Sequence, residues 1–277
     1  MTLSVNTNVA AMVALQNLNG STRELEVTQN RVSTGLKVIG AKDNSAVYAI
    51  AQGMRADIGA MTAVTASLNR AKSITDVALA AGESISDLLV QMKEKAIAAN
   101  DASIDTSARN ALNEDFRSLR SQIATIVQNA KFDGANLING SVATGIQMLA
   151  DADATSAITL TPENMSVSGS IVTLTSTTAL TSLASSSSAL SLVNASLQNV
   201  NAALARLGSV GKKVDAHLVF VGKLTDAMTG GVGNLVDADM AIESAKLQAL
   251  QIKQQLGAQA VSIANSAPQI ILSLFQG

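Results

Sequence analysis

Cysteine and tryptophan are absent from the 277 residues, histidine occurs once, proline twice, and aromatic residues make up only 2% of the chain. Each scarcity removes a class of function. Without cysteine there is no disulfide framework and no thiolate site, a composition compatible with export. With His217 alone, no His–His metal site and no HExxH protease motif can be built. A single histidine beside Leu218 on an expected helix, without an identifiable partner, supports neither acid–base nor nucleophilic chemistry and reads as a surface or edge residue. The carboxylate pairs Asp151/Asp153 and Asp237/Asp239 fit turn and helix caps and lack further ligands for a metal. No enzyme and no cofactor is expected.

Charge is also scarce. Charged residues are 14% of the chain and the formal net charge is -2, which leaves no basic stripe for nucleic acid. The first charge is Arg23, and Asn6, Asn8, Gln16 and Asn17 interrupt any apolar run before it, so no cleaved signal peptide is expected. An export route that reads no such signal remains open. After Lys253 no charged residue occurs, but Gln255, Gln259, Asn265, Ser266, Pro268 and Gln269 make that tail too polar for a membrane span. Membrane insertion is not expected.

What the chain has in quantity is small and aliphatic residues: 47% are hydrophobic, a composition suited to long packed helices. Helical spacing runs from Ser4 to about Thr34 through Ala11, Leu15, Leu18, Thr22, Leu25, Gln29 and Val32, with Val5, Val9 and Met12 as a second strip. A second helix starts at Asn44 or Ser45 and keeps its seam from Ile50 to Ala99, broken only by Asp57, Thr75 and Gly82. That span is a rod of roughly 85 Å. After a turn at Asp101 to Asp105, a third helix (Leu112, Phe116, Leu119, Ile123, Ile126) folds back antiparallel.

The period changes at Phe132-Asp133-Gly134 and Asn139-Gly140, turn signals that predict one or two hairpins with strands at Ile146 to Leu149, Ile158 to Leu160 and Ile171 to Leu174. About half of the residues from Thr155 to Ser188 are Ser or Thr. Two readings fit: a solvated loop, or a surface for O-linked glycans at Ser168, Ser170, Thr173, Thr175, Thr177 and Ser185. Helical spacing resumes from Leu190 to Met228. Gly230-Gly231-Val232-Gly233 has no phosphate-loop lysine and no preceding strand, and is expected to be a flexible joint. The last helix follows, with Asp237 and Asp239 in its first turn. Its seam of Ala238, Ile242, Ala245, Ala249, Ile252, Leu256, Ile263 and Ile270 is joined by Leu247, Leu250 and Val261 on other faces.

The predicted class is mainly α, with long antiparallel coiled-coil-like helices and a small β-hairpin region in mid-chain. A helix apolar on several sides expects several neighbours, and a two-helix pair buries one face of each partner. The two uncharged ends are therefore expected to pair in one layer, to be poorly ordered in the monomer, and to find their remaining neighbours in other copies of the chain. The candidate polymer interface is Val5, Val9, Leu15, Leu18, Leu25, Ile242, Leu247, Leu250, Ile252, Leu256, Ile263 and Ile270.

Six motifs in order match one family. Ser4-Val5-Asn6-Thr7-Asn8; Arg31-Val32-Ser33-Thr34-Gly35-Leu36-Lys37 continuing to Ala41-Lys42-Asp43-Asn44; Lys131-Phe132-Asp133-Gly134 with Leu137-Ile138-Asn139-Gly140; Ala205-Arg206-Leu207-Gly208; Asp237-Ala238-Asp239-Met240-Ala241; and Gln259-Ala260 through Pro268-Gln269 and Leu272 all resemble bacterial flagellin. The resemblance implies an inner coiled-coil domain from residues 1–42 and 234–277. It implies an outer helical rod from 43–233, with the hairpin and Ser/Thr-rich segment at about 131–189 and little or no extra domain. It further implies head-to-tail polymerisation into a motility filament, unfolded export through the flagellar type III apparatus, an export chaperone and a filament cap as partners, and co-assembly with sibling flagellins. The hook–filament junction protein, which shares such ends, is the alternative, and a membrane-active helical protein lacks the basic face it would need. At Val90 to Ala98 the chain departs from the family's receptor-read strip, with Gln91 in place of an arginine and Lys95 in place of a leucine.

Overall fold

The computed structural model describes residues 7–274, with side chains described through residue 266. Five helices and one hairpin follow in order: α1 Val9–Thr34, α2 Ser45–Ala99, α3 Thr106–Asn129, β1 Ile146–Leu149, β2 Ala157–Leu160, α4 Leu183–Val236 and α5 Met240–Leu274. The chain divides into two compact units, one of residues 1–56 with 227–277 and one of residues 57–226.

The 57–226 unit holds a continuous apolar core that includes Leu68, Ile85, Leu89, Met92, Phe116, Ile123, Leu160, Val193 and Leu207. Helices α2 and α4 pack antiparallel within it. Lys72 pairs with Asp215 at 2.5 Å, Ser86 faces Asn201, and Gly82 lies under Leu204. The turn from α2 to α3 is capped from both sides. Arg109 donates to the carbonyls of Ala99 and Asp101 at the end of α2, and Asp105 accepts from the Ala108 amide at the start of α3.

The hairpin pairs antiparallel from Ile146 opposite Leu160 to Leu149 opposite Ala157. Met148, Ile158 and Leu160 point into the core. Its turn is organised by Asp151, whose carboxylate accepts from the Thr155 hydroxyl and from the Thr155 and Ser156 amides. The hydrogen bond from the Thr155 hydroxyl is the largest influence holding that carboxyl below the usual carboxylate range. The pair Asp151/Asp153 is thus a turn device at Asp151, as expected.

Five expectations are corrected. The Ile171 to Leu174 run is buried but is no strand. Its backbone groups are taken by side chains instead: the Thr173 amide donates to Ser196 and the Ile171 carbonyl accepts from Asn199. Helix α4 starts at Leu183, so Ser185 to Ser188 lie in its opening turns and Ser186 is fully buried. The Gly230 to Gly233 stretch interrupts nothing, because α4 continues to Val236. At Gly231 a β-carbon would come 2.9 Å from the terminal methyl of Met54, the mobile end of a side chain on α2. Finally, α5 begins at Met240, and Asp239 caps it by accepting from the Ala241 and Ile242 amides. Helix α1 similarly starts at Val9, with Asn8 as its cap. His217 is half-buried at the core's edge, 2.6 Å from the Ala150 carbonyl.

Candidate assembly surface

Within the unit of residues 1–56 and 227–277, α1 and α5 run antiparallel. The bonds between them run in register: Asn8 donates to the Ala264 carbonyl at 2.7 Å, Gln254 reaches Thr22 at 3.5 Å, and Arg31 pairs with Glu243 at 3.1 Å. Where the helices end, Leu36 bridges Asp237, the Lys37 amide donates to the Val236 carbonyl and the Ala238 amide to the Gly35 carbonyl. Gly35 stands at φ 72°, the left-handed conformation that closes a helix and favours glycine.

The residues of α5 that turn toward α1 are Glu243, Leu247, Leu250, Gln254, Gly257, Val261 and Ala264, buried or half-buried and spaced by four and three. Only three of these seven are large apolar residues. Gly257 makes room for Leu18, whose methyl would lie 3.1 Å from any β-carbon placed there. Leu25 and Leu250, 6% and 3% exposed, close the middle of the pair.

The apolar seam legible in the sequence lies on another side of α5. Ile242, Ile252, Leu256 and Ile263 are 58–66% exposed, and Ala238, Ala245 and Ala249 are also turned outward or half-exposed. On α1, Val9, Met12, Val13 and Leu15 are exposed at 50–67%. This inverts the usual arrangement, in which an amphipathic helix turns its most apolar stripe to its own core. Four aliphatic side chains aligned on α5, with four more on α1, exceed the scattered single exposures normal for a soluble protein.

Of the twelve residues predicted for a polymer interface, Val9, Leu15, Ile242, Ile252, Leu256 and Ile263 lie on these exposed stripes. Leu18 and Leu247 are half-buried between the helices, while Leu25 and Leu250 are enclosed by the pair itself. Val5 and the side chain of Ile270 lie outside the described residues. Met12 and Val13 belong to the exposed stripe and stand outside the predicted set; their spacing from Val9 and Leu15 is the signal that identifies them.

The polar content of the pair is small. Glu243 is enclosed, with its Oε1 on Arg31 and its Oε2 buried without a partner among the described residues; the Thr28 hydroxyl is likewise buried and unpartnered. Removing Arg31 would leave a buried carboxylate uncompensated, a change that costs about 3–5 kcal/mol in such sites. Among the described residues no group of three His, Cys, Asp or Glu side chains could hold a metal, and no helix is long and apolar enough to cross a membrane.

The six predicted glycan residues fall into two groups. Ser168, Ser170, Thr175 and Thr177 are exposed. Thr173 is half-buried against Ser196, and Ser185 is engaged with Ser182 at the start of α4.

Comparison with known proteins places these features. Residues 5–143 match the bacterial flagellin N-terminal helical region and residues 175–275 the C-terminal helical region. Flagellin FljK of Caulobacter vibrioides is 50% identical over 273 residues, covering 99% of this chain and 98% of that protein. Flagellin FljJ of the same organism is 48% identical over 279 residues, covering all of both chains. A solved Vibrio parahaemolyticus structure, described as that of a flagellar hook-associated protein, shares the fold at TM-score 0.57 and 12% identity, over 70% of this chain and 100% of that one. That likeness concerns architecture alone, and the full-length flagellin relatives favour a filament subunit over a junction protein. With both helical regions present in order and relatives matched from end to end, the chain belongs to the bacterial flagellin family, whose members are non-enzymatic structural subunits of the flagellar filament.

Proposed function

We propose that this flagellin polymerises through the outward apolar stripes of α1 and α5. Residues 1–42 and 234–277 then form the inner layer of the filament and residues 43–233 the outer layer. One observation carries the reading: the most apolar side of α5 is the side its own chain leaves open, at Ile242, Ile252, Leu256 and Ile263. Burying that side against further copies removes apolar area from water at about 25 cal/mol per Å². The absence of charge before Arg23 and after Lys253 lets copies approach at those ends without burying unpaired charges. Repeated head-to-tail, such a contact leaves the polymer open.

Electron microscopy and sedimentation test this. Removing residues 237–277, or placing Asp at both Ile252 and Leu256, is expected to give a soluble helical protein that forms no filaments. Normal filaments from either variant would refute assembly through the terminal helices.

The remaining readings extend this one. The chain is exported unfolded, with a chaperone on its C-terminal stripe and a cap at the growing tip; an exposed apolar helix face is what such a chaperone would cover. The occurrence of FljK and FljJ in one organism supports co-assembly with sibling flagellins. Among the glycan candidates, Ser170 and Thr177 lie on exposed, irregular backbone and are the favoured attachment points. Intact-mass measurement of shed filaments is expected to exceed the bare chain by whole sugar increments; a mass equal to the bare chain excludes modification.

A further inference from the structure

We propose that Arg31 and Glu243 are positioning residues that lock the axial register of α1 against α5, an inference whose consequence for polymerisation rests on the assembly reading above. The seam between the helices is weakly apolar on its α5 side, with small or neutral residues at Gln254, Gly257 and Ala264, and its one close apolar fit is Leu18 over Gly257. A helix pair of this kind tolerates sliding by whole turns unless a polar residue forbids it, and a buried polar partner is the best-attested device for that purpose.

Arg31–Glu243 is the ion pair between α1 and α5 among the described residues, and it is shielded, with the two side chains 25% and 10% exposed. The second carboxylate oxygen of Glu243 has no partner, so the charge depends on Arg31. Sliding by three or four residues would set Glu243 beside Val27 or Thr28, and sliding by seven would set it across from Glu24. Sliding the other way by three or four residues carries Glu243 to Thr34 or Gly35, the end of α1 and its cap, and by seven it leaves the helix. No alternative supplies a cation: Thr28 and Thr34 offer at most a neutral hydroxyl, and Glu24 opposes a like charge.

Register matters because the exposed surface is composite. Val9, Met12 and Leu15 come from one helix, and Ile252, Leu256 and Ile263 from the other. One heptad of slip displaces these halves by about 10 Å along the axis. A subunit displaced in this way presents a surface that cannot repeat with its neighbours.

A competing lock exists in the backbone bridge between Leu36 and Asp237, and the experiment separates the two. A β-carbon at Gly257 would stand 3.6 Å from that of Leu18, within the disulfide range of roughly 3.5–4.5 Å. The chain has no cysteine of its own, so the pair Leu18→Cys with Gly257→Cys reports the native register, and Leu18→Cys with Leu250→Cys reports a slip of one heptad. Both are introduced into the full chain, and intrachain cross-linking is measured on non-reducing gels after polymerisation. Arg31→Gln and Glu243→Gln are each expected to lower the native cross-link by about threefold or more and to raise the slipped one, while Arg31→Glu with Glu243→Arg restores the native yield.

Native cross-linking unchanged in both glutamine variants would overturn the proposal and leave the backbone bridge as the lock. If the single variants give neither cross-link, the exchanged pair decides: restoration supports the lock and continued loss overturns it. A chain with Arg31 and Glu243 intact that cross-links fully yet forms no filaments would sink the assembly reading and leave the register lock standing.

Discussion

Gly82 and Thr75 read in the sequence as interruptions of the α2 seam, and both prove to be complements of a residue on α4. A β-carbon at Gly82 would come 2.7 Å from a Leu204 methyl, and one at Gly211 would come 3.6 Å from the Thr75 methyl. Small faces large across the seam, which single-helix periodicity cannot reveal because the partner's side chain is not in the pattern. Asp57, the third interruption, is exposed. Two identical substitutions on α2 therefore differ in expected size. Gly82→Ala must displace the terminal methyl of Leu204, which offsets part or all of the ~1 kcal/mol that alanine gains over glycine in a helix. Gly59→Ala has open space around it and keeps that gain. Thermal unfolding should shift up by more for the second than for the first.

At the scale of elements, the start of α4 shows how composition misleads. Ser185-Ser186-Ser187-Ser188 looks like an exposed loop, yet it opens a helix of 54 residues. Ser182 accepts from the Ser185 amide while Ser185 accepts from the Ser182 amide, at 3.2 and 2.8 Å, a reciprocal cap in which a serine takes the place usually held by Glu or Gln. Ser182→Ala is expected to cost about 0.5–2 kcal/mol. Hydrogen exchange should show faster exchange confined to the first turns of α4. The glycines near the other end of this helix mislead in the same way, since α4 runs through them to Val236. The long rods, the fold-back of α3 and the 146–160 hairpin were legible because their patterns extend over many residues. The Ile171 to Leu174 run was not, because its β-branched residues satisfy their backbone through Ser196 and Asn199, partners supplied by a distant helix.

For the whole molecule, the candidate site was legible in kind and incomplete in detail. Uncharged ends and a many-sided apolar α5 pointed to self-association. Which side faces the chain's own α1 was hidden, because the inward residues Glu243, Gln254, Gly257 and Ala264 are the less apolar ones. Pairing geometry decided between faces, and the family match supplied the kind of neighbour. The outward stripe also has a thermal consequence. Apolar burial carries a negative heat capacity, and its driving force near room temperature is mostly entropic, so it weakens on cooling. Chilling should therefore raise the concentration of free subunit in equilibrium with its polymer, measurable by pelleting at a series of temperatures. A free-subunit concentration that falls on cooling would mean that polar contacts, and not Ile252, Leu256 and Ile263, dominate the joint. A filament built on this face is a cold-labile one.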